Sequence, residues 1–412
     1  MLRFLTAGES HGPLLTAILE GMPAGLVVTS EQIDFDLARR QQGYGSGGRM
    51  KIERDHARIT SGVMNGKTTG GPISLIVENL DYAKWKDREI EPMTIPRPGH
   101  ADLTGAVKYG YRELRLSLER ASARETTMRV AVGAVCRLLL SQFGITVGGY
   151  VKSVGEVQAM GVSEWRTQAE LGSSTSTSTS TRTLASDYLA AMVQADLNDV
   201  RTYDLDAAER MRERIRQIMQ AKDTLGGVVE CVALSVPPGL GSHVHWDRRL
   251  STKLAAAVMS IHAMKGVEIG DGFAETLLPG TQVQDPLYVE DGEIKQSSNH
   301  AGGLEGGISN GAPIVVRAAL KPIATTLNPL TSVDLATGET VETKYERSDF
   351  VQVPRAVPIV ESMMRIVLAD ALLEKLGGDS MDEMKPRFEA LRRMRLDQLP
   401  MDNVPWQFGF QD

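Results

Sequence analysis

Arg97-Pro98-Gly99-His100-Ala101-Asp102 places two titratable cations on a segment fixed by proline and glycine, where no packing requirement explains them. Such a segment reads as an anion site. Three further segments mix basic residues with glycine and small hydroxyl side chains in the same way: Gly8-Glu9-Ser10-His11-Gly12, Arg120-Ala121-Ser122-Ala123-Arg124-Glu125-Thr126 and Glu346-Arg347-Ser348-Asp349. Together they point to one strongly cationic pocket. Imidazole gives and takes protons near neutrality, so His11 and His100, each beside glycine, are candidates for acid-base work. A phosphate dianion bound beside His100 would favour the imidazolium and make it an acid toward a phosphate leaving group. His56, His243, His245 and His300 have no comparable arginine neighbour and read as solvated or hydrogen-bonding residues.

The segment from Ser122 to Thr126 opens a long helix, and its free N-H groups beside Arg120 and Arg124 suit a phosphate. The bland alternative is a capped helix whose Arg124 and Glu125 form surface pairs. Lys321-Pro322-Ile323-Ala324-Thr325-Thr326 emerges at the end of an apolar strand, and the glycines of 302–307 permit close backbone approach to a flat ligand, although either could be an ordinary turn. Asp349 beside Arg347 reads as an ion pair or, facing a ligand, as a proton relay. Two motif matches are rejected. Gly8 to Gly12 satisfies G-x-S-x-G, but one short strand before it cannot supply the sheet and oxyanion loop of a hydrolase elbow. Gly43-Tyr44-Gly45-Ser46-Gly47-Gly48 satisfies G-x-G-x-x-G, yet a helix precedes it and a strand follows, the reverse of a dinucleotide fingerprint. It reads as a flexible turn or as a backbone nest with Arg40 and Arg49 at its rims.

The elements that must hold these loops follow from periodicity. Residues 2–6 form a short strand, and 14–19 fit strand or helix. Thr29 with Gln32 is a capping box for a helix ending before Gly43, with Arg39 and Arg40 in its last turn. Alternation at 51–54, 57–61 and 73–77 predicts antiparallel sheet. A stripe of Met128, Val132, Val135, Leu139 and Phe143 predicts a helix capped by Ser122 and leaving at Gly144. Further helices are expected at 184–195, 206–222, 250–264 and 360–376. The Ser/Thr tract at 173–181 has no apolar residue to bury and is expected to be a mobile loop without chemistry. A faint internal echo links Gly21-Met22-Pro23-Ala24-Gly25-Leu26 to Val236-Pro237-Pro238-Gly239-Leu240, and Gly71-Pro72-Ile73 to Ala312-Pro313-Ile314.

The bulk numbers set limits. A chain of 412 residues with 42% hydrophobic content folds as one large core or two to three ordinary ones. A net charge of -7 argues against nucleic acid as a partner, so the arginines form a local cluster in an acidic protein. Cys136 and Cys231 show no disulfide or zinc spacing. No secretory h-region and no run of about 18 apolar residues occurs, so the expectation is a soluble cytoplasmic protein without membrane partners.

Taken in order, the segments at 8–12, 43–50, 97–102, 120–126, 265–270, 306–311, 321–325 and 347–363 resemble those of the chorismate synthase family, and the resemblance runs from residue 2 to about 375. It implies an α+β fold, a helical core sandwiched between antiparallel sheets, in a homotetramer. The whole chain would be one domain, with a loop at about 172–183 and a tail from about 377. The implied activity is the 1,4 elimination of phosphate from 5-enolpyruvylshikimate 3-phosphate, giving chorismate for aromatic amino acid biosynthesis. Reduced FMN is implied as cofactor without net redox change, with NADPH as a candidate reductant. By motif, His11 would hold the reduced flavin in its monoprotonated form, His100 would assist phosphate departure and Asp349 would relay a proton. Arg40, Ser46, Arg49, Arg97 and Arg124 would meet substrate. Arg120, Ala121, Ser122, His262, Ala263, Gly306, Lys321, Pro322, Ile323, Ala324, Thr325 and Arg347 would hold FMN. Ser46 stands where the family usually has an arginine, and His262 where an amide is expected. Alternatives are a non-catalytic paralogue binding FMN or a phosphometabolite, and a flavin-independent phosphatase.

Overall fold

The computed structural model describes residues 2–45, 54–171, 182–346 and 349–409. The Ser/Thr tract and positions 51–53 lie outside them. Strand β1 (Arg3–Ala7) pairs antiparallel with β2 (Leu14–Glu20), so the ambiguous 14–19 segment is a strand. The turn between them needs glycine at position 8, where φ is +112° and a Cβ would lie 2.5 Å from the Leu14 carbonyl oxygen. Strands β3 (Ala57–Ser61) and β4 (Ile73–Glu78) complete a sheet ordered β1-β2-β4-β3. The second sheet contains β5 (Thr146–Val154), β6 (Gly227–Leu234), β7 (Met264–Ile269) and β8 (Ile314–Leu320), ordered β7-β8-β6-β5 with the short Val157–Gln158 strand outside β5. All pairings in both are antiparallel.

Helix α1 (Ser30–Gln41) starts at the predicted capping box, with Thr29 accepting from the Gln32 N-H and Gln32 accepting from that of Thr29. Two shorter helices, α2 (Asp102–Tyr109) and α3 (Arg115–Ala121), precede α4 (Thr126–Ser141). Ser122 caps as expected, although it caps a 3-10 turn, Ala123–Glu125, that leads into α4. Gly144, at φ +73°, closes that helix. The helices Leu184–Ala195 and Leu205–Gln220 match expectation closely.

Two boundaries differ. Helix α5 (Leu250–Met259) stops five residues before the expected end at 264, because the chain turns through Ala263 at φ +65° and enters β7 at Met264. Helix α6 (Val353–Leu376) begins well before residue 360, with Pro354 in its first turn, where no N-H is missed, and Pro358 shortly after.

Helix α4 packs on β2 and β4 of the first sheet, and α6 packs on β5 and β6 of the second, with α1 and α5 alongside. The helices therefore meet face to face between two antiparallel sheets, an α+β arrangement. One hydrophobic cluster spans the layers, from Leu15, Leu75 and Val77 through Val132, Leu139, Val357 and Met364 to Val229 and Val316. Helices α4 and α6 are in close contact at Gly133, where a Cβ would stand 2.3 Å from the Ser362 Cβ. Beside this contact a buried ion network ties three helices: Arg365 donates to Asp36 at 3.0 Å and to Glu361 at 2.9 Å, while Arg39 and Arg137 hold the same carboxylates.

Candidate active site

Residues from the segments 8–12, 97–102, 120–126, 321–325 and 346–349 converge on a cavity of about 540 Å3. Among the described residues it is lined by six cationic side chains, Arg40, Arg97, Arg124, Lys265, Lys321 and Arg355, against three carboxylates, Asp81, Glu346 and Asp349. Leu118, Ile261, Met264, Leu320, Ile323 and Ile359 supply an apolar wall. This suits a ligand with both anionic groups and a flat apolar body.

Arg40 sits in the last turn of α1 and reaches the start of α4, donating to Thr126 Oγ1 at 3.1 Å and to the Ala123 carbonyl at 3.0 Å. Its Nη1 makes no hydrogen bond among the described residues, and Asp55 lies 3.6 Å away. Burial, together with the nearby Arg355 and Arg124, pushes its guanidinium below the usual arginine value, so an added anion is favoured here. Arg124 is anchored by Asp55 at 2.7 Å and by Asn79 at 2.9 Å. Asn79 also donates to the carbonyls of Glu9 and Gly12, which fixes the loop carrying His11.

His100 and Arg97 share Asp102, a fully buried carboxylate at the start of α2. Arg97 Nε donates at 2.8 Å to one oxygen, and His100 Nδ1 lies 2.6 Å from the other. Burial would raise the Asp102 carboxyl, but the hydrogen bonds from Arg97 and His100 outweigh it and hold the group well below the usual carboxylate range. Lys321 bridges to the Gly99 carbonyl, and Arg97 reaches Thr325 Oγ1 at 3.4 Å, so the 321–325 segment packs directly on this loop. His11 has a similar arrangement, with Nδ1 2.8 Å from Glu119 and the Trp85 ring 4.2 Å away. Each of the two imidazoles is 21% exposed, enough to meet a ligand in the cavity.

His262 also lines the cavity, half-buried, and its buried Nδ1 lacks a hydrogen-bond partner among the described residues. Burial pushes its imidazole below the usual histidine value, partly opposed by Glu125. A buried polar atom without a partner, lining a cavity, marks where a ligand group is expected. Ala263 beside it holds a left-handed conformation, uncommon for a residue with a Cβ and typical of functional sites. Asp349 is paired with Arg355, whose Nε also donates to the Arg40 carbonyl at 3.2 Å.

Ala121, Ser122 and residues 321–325 also line the cavity. Ser10 shares its hydroxyl with Ser122 at 3.0 Å, consistent with a loop hydroxyl. Arg120 does not line it; the side chain turns to Thr6 in an adjoining groove. Gly306 lies in a separate hairpin facing His243, away from the cavity. Ser46, Arg49 and Arg347 lie outside the described residues. Sequence reading did not single out Glu119, Asp55, Asn79, Trp85 or Arg355. The charged partners Glu119 and Asp102 follow from the chemistry of the histidines they hold, but only the fold shows which acids reach them. No His/Cys/Asp/Glu cluster suited to a metal occurs among the described residues.

Residues 2–373 match the family model of chorismate synthase. The chorismate synthase of Aquifex aeolicus is 50% identical over 398 residues, covering 94% of this chain and 96% of the relative. That of Trichlorobacter lovleyi is 50% identical over 401 residues, covering 93% and 97%. A crystal structure of chorismate synthase matches with a TM-score of 0.73 at 43% identity, covering 94% of this chain and 96% of that one. With its cationic, histidine-bearing cavity and these full-length likenesses, the chain belongs to the chorismate synthase family and is a lyase.

Proposed function

We propose that the cavity binds reduced FMN and 5-enolpyruvylshikimate 3-phosphate together and carries out the family's 1,4 elimination to chorismate there. The observation that carries this reading is the excess, among the described residues, of six cations over three carboxylates in a chain of net charge -7, beside an apolar wall. Reduced FMN, when bound, supplies electron density that helps expel phosphate, without net redox change. The residues present fit it: Ala121, Ser122, His262, Ala263 and the 321–325 segment would hold it, with Nδ1 of His262 offering an unused hydrogen-bonding atom. Arg347 joins this set in the proposal, whereas Arg120 and Gly306, which do not line the cavity, would meet the cofactor only beyond it.

Arg40, Arg97 and Arg124 bind the substrate's phosphate and carboxylates, joined in this proposal by Ser46 and Arg49. His100, held by Asp102, gives a proton to the departing phosphate. His11 exchanges a proton with the cavity ligand, and Asp349, held by Arg355, carries away the proton lost from C6. NADPH is the proposed source of reducing equivalents, a homotetramer the proposed assembly, and the cytoplasm the proposed location. Among the described residues no helix is long and apolar enough to cross a membrane.

The proposal extends to the architecture, read as one domain with a tail from about 377 and an internal pseudo-symmetry. Each sheet uses its strands in the order first, second, fourth, third, with a helix between the second and third and a core helix after the fourth. The sequence echoes support it: one follows β2 and β6, the other precedes β4 and β8.

The roles are tested with His100→Ala. It is expected to slow phosphate release by roughly 10^2-fold, within the range of one general acid, while leaving FMN affinity nearly unchanged. Equal losses in both would sink the assignment.

A further inference from the structure

Glu119, near the end of α3, grips His11 through both carboxylate oxygens. Oε2 accepts from the His11 backbone N-H at 2.7 Å, and Oε1 lies 2.8 Å from Nδ1. The Glu119 carbonyl also accepts from the Ser10 N-H at 3.1 Å, so one residue pins the loop and the ring it carries. The Trp85 indole packs against the imidazole at 4.2 Å, tilted 40°, and limits its rotation. Unlike Asp102, which Arg97 shares with His100, Glu119 directs both oxygens to a single residue.

Burial opposes ionisation of Glu119, but the hydrogen bonds from His11 outweigh it and hold the carboxyl below its usual value. An ionised carboxylate only accepts hydrogen bonds, so the proton at this contact sits on Nδ1. We propose that Glu119 is a positioning residue that fixes His11 in the Nδ1-H tautomer and so makes Nε2 the nitrogen that exchanges protons with a cavity ligand. Glu119 does not line the cavity and acts through His11. The inference rests on the reading of His11 as an acid-base group.

The isosteric substitution Glu119→Gln separates the possibilities. A carboxamide has one acceptor oxygen and an NH2 group that only donates. Keeping the His11 backbone N-H bonded to that oxygen turns the NH2 toward Nδ1 and inverts the tautomer. In flavin-free, full-length protein labelled with 15N-histidine, His11 is expected to show a protonated Nδ1 in the parent and a protonated Nε2 in Glu119→Gln. Its signals are assigned by their loss in His11→Ala. In the anaerobic assay with reduced FMN, kcat of Glu119→Gln is expected to fall roughly 10^2-fold with KM nearly unchanged, the scale of one misplaced acid-base group. Added to His11→Ala, Glu119→Gln should cost nothing further, because both act at one point.

An unchanged tautomer in Glu119→Gln, or a further loss of the same size in the His11→Ala background, would overturn the positioning role. A His11→Ala variant as fast as the parent would instead remove the acid-base reading of His11 on which it rests.

Discussion

Asp102, fully shielded from solvent, takes hydrogen bonds from Arg97 and from His100, and the half-buried Glu119 takes them from His11. Both carboxyls are held below their unfolded values by these contacts, which outweigh the opposing effect of burial. A depressed carboxyl contributes stability that is present above its unfolded pKa, about 3.9 for Asp and 4.3 for Glu, and is lost as pH falls through the folded value. The melting temperature is therefore expected to drop as pH falls below about 4, and Asp102→Asn should flatten that acid limb. Parallel curves for parent and variant would contradict the argument. At this scale the sequence showed the cations and imidazoles, because arginine and histidine beside glycine have no packing reason to be there. Asp102 stands in the same motif as Arg97 and His100, but the more distant polar partners were not shown. Asp55 and Asn79 meet Arg124 from 69 and 45 residues away, and nothing local to Arg124 distinguishes them from other polar residues.

At the scale of elements, the start of α1 was legible because a capping box is a local hydrogen-bond exchange between Thr29 and Gln32. The start of α6 was not. Nearly every side chain from Val353 to Leu373 is buried, so no one-sided stripe marks the beginning, and Pro354 is tolerated because it sits in the first turn. The end of α5 was missed because an alanine, not a glycine, takes the left-handed turn. The contact of α4 with α6 depends on the missing side chain of Gly133, which leaves room for Ser362. Gly133→Ala would force the two core helices apart and is expected to destabilise the fold by about 1–3 kcal/mol, read from a lower denaturation midpoint. An unchanged midpoint would show that the helices can shift freely at this point.

Across the whole molecule, the cavity draws on residues from Ser10 to Ile359, so it exists only once both sheets and the helices between them are assembled. The ion network of Asp36, Arg39, Arg137, Glu361 and Arg365 joins α1, α4 and α6 behind it. Arg365→Met would leave two buried carboxylates short of a donor and is expected to cost roughly 3 kcal/mol, the low end for a broken buried pair because Arg39 and Arg137 remain. A loss below about 1 kcal/mol in denaturant titration would show that the remaining arginines suffice. The sandwich was legible only through family resemblance, since periodicity locates helices and strands without saying which faces meet. The most direct test of the whole account is an anaerobic single-turnover reaction with 5-enolpyruvylshikimate 3-phosphate and chemically reduced FMN, following chorismate absorbance and free phosphate together. Equal amounts of both products, formed only with the reduced flavin, are expected. Phosphate without chorismate, or turnover without flavin, would contradict the account.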